Sequence, residues 1–234
     1  MLPFATMGDW GLYLVFLIPP LILGFVVQGW LRKTVARNMQ IDVASGLTGA
    51  EAARQILDRN GLHGVPVETS PGGPLSDHYD PRKRTVNLSE PVYNGRSVAS
   101  TAIAAHEVGH AIQHERAYAP FRARSALWPV VAFSSNAWIF LLLIGVFAQA
   151  FQLIGLALIL YSIVVLFQLV TLPVEFDASR RALVQVRELG LLATGEQAGG
   201  RKVLTAAAMT YVAGALAALS QLAYYALVFL GNRD

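Results

Sequence analysis

Three stretches of this chain carry no charged side chain: Trp10 to Leu31, Ser125 to Val174, and Val203 to Asn232. A helix needs about 20 consecutive apolar residues to cross a bilayer. The first and third stretches supply one span each; the second is long enough for two, with a turn between Gly145 and Gln152. Buried helices of a soluble domain are the alternative, and charge-free runs of this length argue against it. Composition agrees. Charged residues are only 14% of the 234 and the mean hydropathy is +0.47, too apolar for an ordinary soluble domain. The expected spans are 10–31, 126–148, 150–173 and 203–230, with polar segments at 32–124 and 174–202.

The first span is not read as a cleaved signal peptide, because residues 1–9 hold no Lys or Arg and no clean small-residue cleavage site follows. Pro19-Pro20 predicts a kink in it, which neighbouring helices can accommodate. The last span is rich in alanine, a composition suited to close packing against another helix. Twelve of the eighteen Lys and Arg residues lie between Arg32 and Arg124, five between Arg180 and Lys202, and Arg233 stands apart. The positive-inside rule then places both polar segments in the cytoplasm and both termini outside, with a short outer turn near residue 149. A multi-pass protein of the plasma or inner membrane is expected, with the lipid bilayer as its surroundings. The net charge of +3 is too small to point to nucleic acid, and the absence of cysteine excludes disulfides and thiolate metal ligands.

In the first polar segment, Thr48-Gly49-Ala50-Glu51 reads as a capping box, followed by an apolar stripe of Ala52, Ala53, Ile56 and Leu57 and closed by Gly61. Val65 to Thr69 is expected as an edge strand because it contains Pro66. Residues 70–76 read as a loop, Asp77 onward as a turn, and Thr85 to Ser89 as a strand. Asn94-Gly95 then turns the chain into a helix over about Ser97 to Glu115. An exposed strand edge beside that helix could pair with an extended peptide.

That helix carries Ala104-Ala105-His106-Glu107-Val108-Gly109-His110-Ala111-Ile112, an HExxH motif. Residues four apart share a helix face, so His106 and His110 can offer two imidazoles to one metal ion. Glu107, next to the first ligand, is placed as a general base. Two ligands, an open coordination position and a base are what a zinc hydrolase needs. A helix that merely shows polar residues to solvent is the bland alternative.

A third protein ligand is then required. His114 shares the face but lies about 12 Å from His106 by helix rise, too far to share the ion. Glu115 points to another face, and His63 and His78 sit in loops. Glu175 is the better choice: it follows the third span directly, in Pro173-Val174-Glu175-Phe176-Asp177-Ala178-Ser179-Arg180, on the side of the membrane expected for His106 and His110. Asp177 is the rival carboxylate.

An HExxH helix in a polar segment, two spans, and then a Glu opening an E-x-x-A-S-x-R-A helix resembles the membrane-bound zinc metallopeptidases of the YugP family. More distantly it is similar to the HtpX and CAAX-prenyl proteases. The resemblance covers nearly the whole chain, including Asp77-His78-Tyr79-Asp80-Pro81 and Ala104 to Gln113. It implies Glu175 as the third zinc ligand. Where the HtpX-like pattern has an Asp four residues after that Glu, this chain has Ser179.

The expected protein is predominantly α, with about four transmembrane helices and a small zincin-like α+β catalytic region in the cytoplasm. Its expected activity is zinc-dependent hydrolysis of peptide bonds in membrane or unfolded proteins near the cytoplasmic face, with Zn2+ held by His106, His110 and Glu175 and with Glu107 as base. His78, Tyr79 and Arg180 are candidates for stabilising the oxyanion. The competing reading is a non-proteolytic membrane protein with a structural or sensing zinc site, which would not need Glu107. A metal transporter would need ionisable residues inside the spans, and the charge-free stretches hold no acidic or basic ones.

Overall fold

The structure is a computed structural model and describes residues 7–231. In chain order it contains α1 (Met7–Met39), α2 (Gly49–Arg59), β1 (Val67–Ser70), β2 (His78–Asp80), β3 (Thr85–Ser89), α3 (Glu90–Tyr93), α4 (Val98–Glu115), α5 (Ala119–Phe147), α6 (Phe151–Glu188) and α7 (Gln197–Gly231). The chain is mostly helical. Among the described residues, four helices, over Trp10–Met39, Ala119–Phe147, Phe151–Glu188 and Gln197–Gly231, are long and apolar enough to cross a membrane. This is the build of a multi-pass membrane protein. The helices outrun the charge-free stretches: α1 continues through Arg32, Lys33 and Arg37, and α6 continues to Glu188. Arg233 lies outside the described residues.

Two compact units divide the chain. The first takes Met1–Val27, Ala123–Leu172 and Thr210–Asp234, and so holds the apolar lengths of α1, α5, α6 and α7. Its small core is Tyr161, Val165 and Ala218, with Trp138 against it. The Tyr161 hydroxyl donates to Gln221 Oε1 at 2.9 Å, and the Ser220 hydroxyl donates to the Phe16 carbonyl at 2.7 Å. Large apolar side chains such as Phe140, Ile159 and Leu166 stay exposed. α5 and α6 are joined at residues 148–150, where Gln149 takes φ 53°, within the expected turn.

The second unit takes Gln28–Arg122 and Pro173–Met209. α2 begins at the capping box: Thr48 accepts from the Glu51 amide, and Glu51 accepts from the Thr48 amide. It ends in a Schellman arrangement, with Leu62 N–H on the Leu57 carbonyl and Gly61 N–H on the Asp58 carbonyl. This requires Gly61 at φ 73°, a left-handed conformation that glycine adopts without penalty. The sheet has the order β1-β3-β2. β1 pairs parallel with β3, Val67 opposite Val86, and β2 pairs antiparallel with it, Tyr79 opposite Val86. α4 packs on α2 and on β2 and β3, and Ile56, Leu57, Val86, Leu88, Val98, Val108, Val174 and Leu192 form the heart of the core.

One expectation is corrected. Residues 78–80 form strand β2 rather than part of the turn. Tyr79 buries its ring while Asp80 Oδ1 accepts from the amides of Arg82 and Lys83, which places the turn at 81–84 and requires strands on both sides of it. Thr85–Ser89 is therefore the central strand, and the free edges belong to β1 and β2.

Candidate metal centre

α4 is buried along most of its length, and its start is set by Ser97, whose hydroxyl accepts from the Ser100 amide. His106 and His110 lie one above the other on one face, ring centroids 4.8 Å apart. α6 crosses that face very closely. A Cβ added to Gly109 would stand 2.6 Å from the Ala178 carbonyl oxygen, so only glycine fits between the two histidine turns. Ala178, itself fully buried, keeps the seam thin at that point. This approach brings Glu175 to the histidines: Glu175 Oε2 lies 3.2 Å from His106 Nε2 and 3.6 Å from His110 Nε2. One ligand atom from each of the three residues falls within 4.8 Å of the others. Two imidazole nitrogens and one carboxylate oxygen, converging from two rigid helices, are a donor set suited to zinc.

Glu175 is only 1% exposed. Burial alone would raise its pKa, but the neighbouring imidazoles of His106 and His110 outweigh burial and hold it well below the usual carboxylate range. Glu107 behaves oppositely. Burial pushes its carboxyl up from 4.5 to about 7; the charges of Glu175 and Asp77 add to the rise, while His106 and the backbone amide of Tyr79 work against it. A carboxyl poised there, one residue from a histidine of the cluster, can accept and return a proton near neutral pH.

The other candidates have partners elsewhere. The Tyr79 hydroxyl is 2.9 Å from His114 Nδ1, so His114 turns toward β2 and not toward the histidine pair. Glu115 pairs with Arg84, and His63 Nδ1 lies 3.0 Å from Asp58. His78, exposed at the start of β2, has its Nδ1 2.8 Å from the Ser76 carbonyl. Arg180 is 72% exposed and donates to Asp177 Oδ1 at 2.5 Å. Asp177 does not join the cluster; its Oδ2 accepts from Arg181 and from the Gln113 amide.

Outer contacts hold the two histidines. Ser179 Oγ is 3.2 Å from His106 Nδ1, and Gln113 Oε1 is 3.0 Å from His110 Nδ1. Asp77 accepts from both the amide and the hydroxyl of Ser89, at 2.7 and 3.0 Å, and this ties the start of β2 to the end of β3. Gln113 has no role in the sequence reading. Its only signal there is its place three residues after His110, on the same helix face.

A family model described as "Putative neutral zinc metallopeptidase" matches residues 13–230. The chain is also 46% identical, over 223 residues, to "Putative membrane protease YugP" of Bacillus subtilis (strain 168), covering 95% of this chain and 99% of that protein. No solved structure matches the chain at a significant level.

Proposed function

Because the chain belongs to the neutral zinc metallopeptidase family, we propose that it is a membrane-bound, zinc-dependent endopeptidase. Its substrates on this reading are membrane proteins or unfolded polypeptides, cut close to the cytoplasmic face of the membrane. The observation that carries the proposal is the convergence of His106, His110 and Glu175 within 4.8 Å with Glu107 beside them. A structural site needs the donors but not an adjoining carboxyl poised near neutrality.

His106, His110 and Glu175 would hold the ion, which when bound supplies a Lewis acid for the scissile carbonyl and lowers the pKa of water. Glu107 takes the proton of the attacking water and returns it to the leaving amine. Its apolar surroundings and the neighbouring charges of Glu175 and Asp77 keep its proton affinity high enough for both transfers. Candidates to meet the developing oxyanion are His78, Tyr79 and Arg180. β2 carries the first two beside α4, whereas Arg180 is held by Asp177. The edge of β2 is the place for an extended substrate segment, since β3 occupies its other side. The cytoplasmic placement rests on the clustering of Lys and Arg in the two segments that contain the site.

The test is cleavage of an unfolded reporter such as casein by the detergent-purified full chain, wild type beside Glu107→Gln, with bound zinc measured on both. The proposal expects zinc in both and cleavage only by wild type. Zinc in both and cleavage by neither, extended to membrane-protein substrates, would favour a structural or sensing site. Zinc in neither would remove the ligand assignment.

A further inference from the structure

We infer that Gln113 is a positioning residue that sets the tautomer of His110, and that Asp177 acts through it. Gln113 is fully buried. Its Nε2 lies 2.8 Å from the Val174 carbonyl and 2.9 Å from Asp177 Oδ2. A carbonyl and a carboxylate only accept, so the amide has one possible orientation, NH2 toward α6 and oxygen toward α4. The reversed amide would set its oxygen against two acceptors. Gln113 Oε1 therefore faces His110 Nδ1 at 3.0 Å. An amide oxygen accepts and never donates, so Nδ1 carries the ring proton and Nε2 keeps its lone pair for the cluster.

Asp177 completes the device. Arg181 Nε and Arg180 Nη2 each reach it at 2.5 Å, and the Arg181 guanidinium lies 5.7 Å from the centre of the Tyr118 ring. The path runs from donor to acceptor from His110 to Gln113 and from Gln113 to Asp177, where Arg181 donates from the other side, with a neutral amide where a carboxylate commonly holds a ligand histidine. His106 is held differently. The hydroxyl of Ser179 can donate or accept, so it leaves the tautomer of His106 open.

The inference rests on the proposed metal site, and two readouts keep the two apart. The first is long-range proton–nitrogen NMR on the 15N-histidine-labelled, metal-free full chain in detergent, with the His110 signals assigned by their loss in His110→Asn. The second is zinc affinity by chelator competition. Wild type is expected to show His110 as the Nδ1–H tautomer. Gln113→Leu should give a mixture of tautomers, and Gln113→Glu, which sets a carboxylate against Asp177, should disturb the ring as well. Each single variant should bind zinc about 10–100-fold more weakly. The exchanged pair Gln113→Glu with Asp177→Asn restores an acceptor for His110 and a donor for residue 113. It should recover the Nδ1–H tautomer and come within about tenfold of wild-type affinity. An Nε2–H tautomer in wild type, a Gln113→Leu variant with unchanged tautomer and affinity, or an exchanged pair no better than the weaker single variant would each overturn the inference. Wild type with the Nδ1–H tautomer but no zinc uptake would overturn the metal site and leave the role of Gln113 standing.

Discussion

α6 runs unbroken from Phe151 to Glu188, and its two halves treat their serine and threonine hydroxyls differently. In the first half, Ser162 donates to the Leu158 carbonyl and Thr171 to the Phe167 carbonyl, each at 2.8 Å and each one turn back on the same helix. These hydroxyls satisfy themselves locally and ask nothing of a neighbour. In the second half, Val174, Ala178, Ala182 and Val186 form a buried stripe four residues apart. The polar residues beside that stripe reach α4: Glu175 to His106 and His110, Asp177 to Gln113, Ser179 to His106. In the first half Tyr161 does reach Gln221 of α7, but the serine and threonine hydroxyls stay on their own helix. The second half is completed by α4 residues 64 to 73 positions away in the chain. Substitutions in the two halves should therefore differ sharply.

The largest effect is expected at Glu175. Glu175→Ala removes one donor of the cluster, and zinc affinity should fall by more than the roughly 100-fold ceiling typical of outer contacts, with reporter cleavage lost alongside. Chelator competition and zinc content check this, and stoichiometric zinc in the variant would remove Glu175 from the ligand set.

Next comes a pH effect from burying Glu107. A carboxyl that ionises near 4.5 in the unfolded chain does so near about 7 in the fold. Its contribution is complete below the lower value and is lost as pH rises through the higher one. The metal-free protein should thus lose about 3 kcal/mol between pH 5 and pH 8 from this group. Glu175, shifted downward, changes only at much lower pH. Thermal unfolding of metal-free wild type and Glu107→Gln at both pH values should show a flatter dependence in the variant. Parallel curves would mean that Glu107 ionises normally.

Gly109→Ala should cost about 1–3 kcal/mol by overpacking, because the added methyl meets backbone at Ala178 and not a side chain that can turn away. It should also weaken zinc binding by separating α4 from α6. Melting and zinc affinity that both match wild type would show that the seam can open freely.

Ser179→Ala should weaken zinc by about tenfold, the low end for an outer contact, while the smallest change is expected in the first half of α6. Ser162→Ala and Thr171→Val there should stay within about 0.5 kcal/mol of wild type and leave zinc affinity untouched. Should Thr171→Val prove as damaging as Ser179→Ala, the contrast between the halves would collapse.

The same contrast explains what could be read without coordinates. Apolar runs announce themselves by length, so the helices of the first unit were legible in the sequence, as was the Gly145 to Gln152 turn. His106 and His110 were legible because four-residue spacing fixes a helix face. Glu175 was legible from its place just past an apolar stretch. β2 was not, because three residues before Asp80-Pro81 are too few to show alternation, and their pairing depends on β3. Gln113 was not legible either, nor was its bond to Asp177, which the sequence offered only as a rival ligand. The two meet only where Gly109 lets α6 approach α4, and that approach joins positions too far apart for any local pattern to register.

The order of the donors along the chain has a consequence for how the protein is made. Glu175 comes 69 residues after His106, beyond the whole of α5 and the apolar half of α6. A ribosome that has finished the histidine motif has produced two donors and no third. The missing carboxylate emerges only after both intervening apolar helices have been synthesised, so the ligand set is closed late in biosynthesis. On the proposed function, the growing chain therefore lacks a complete metal site until both apolar helices have been made.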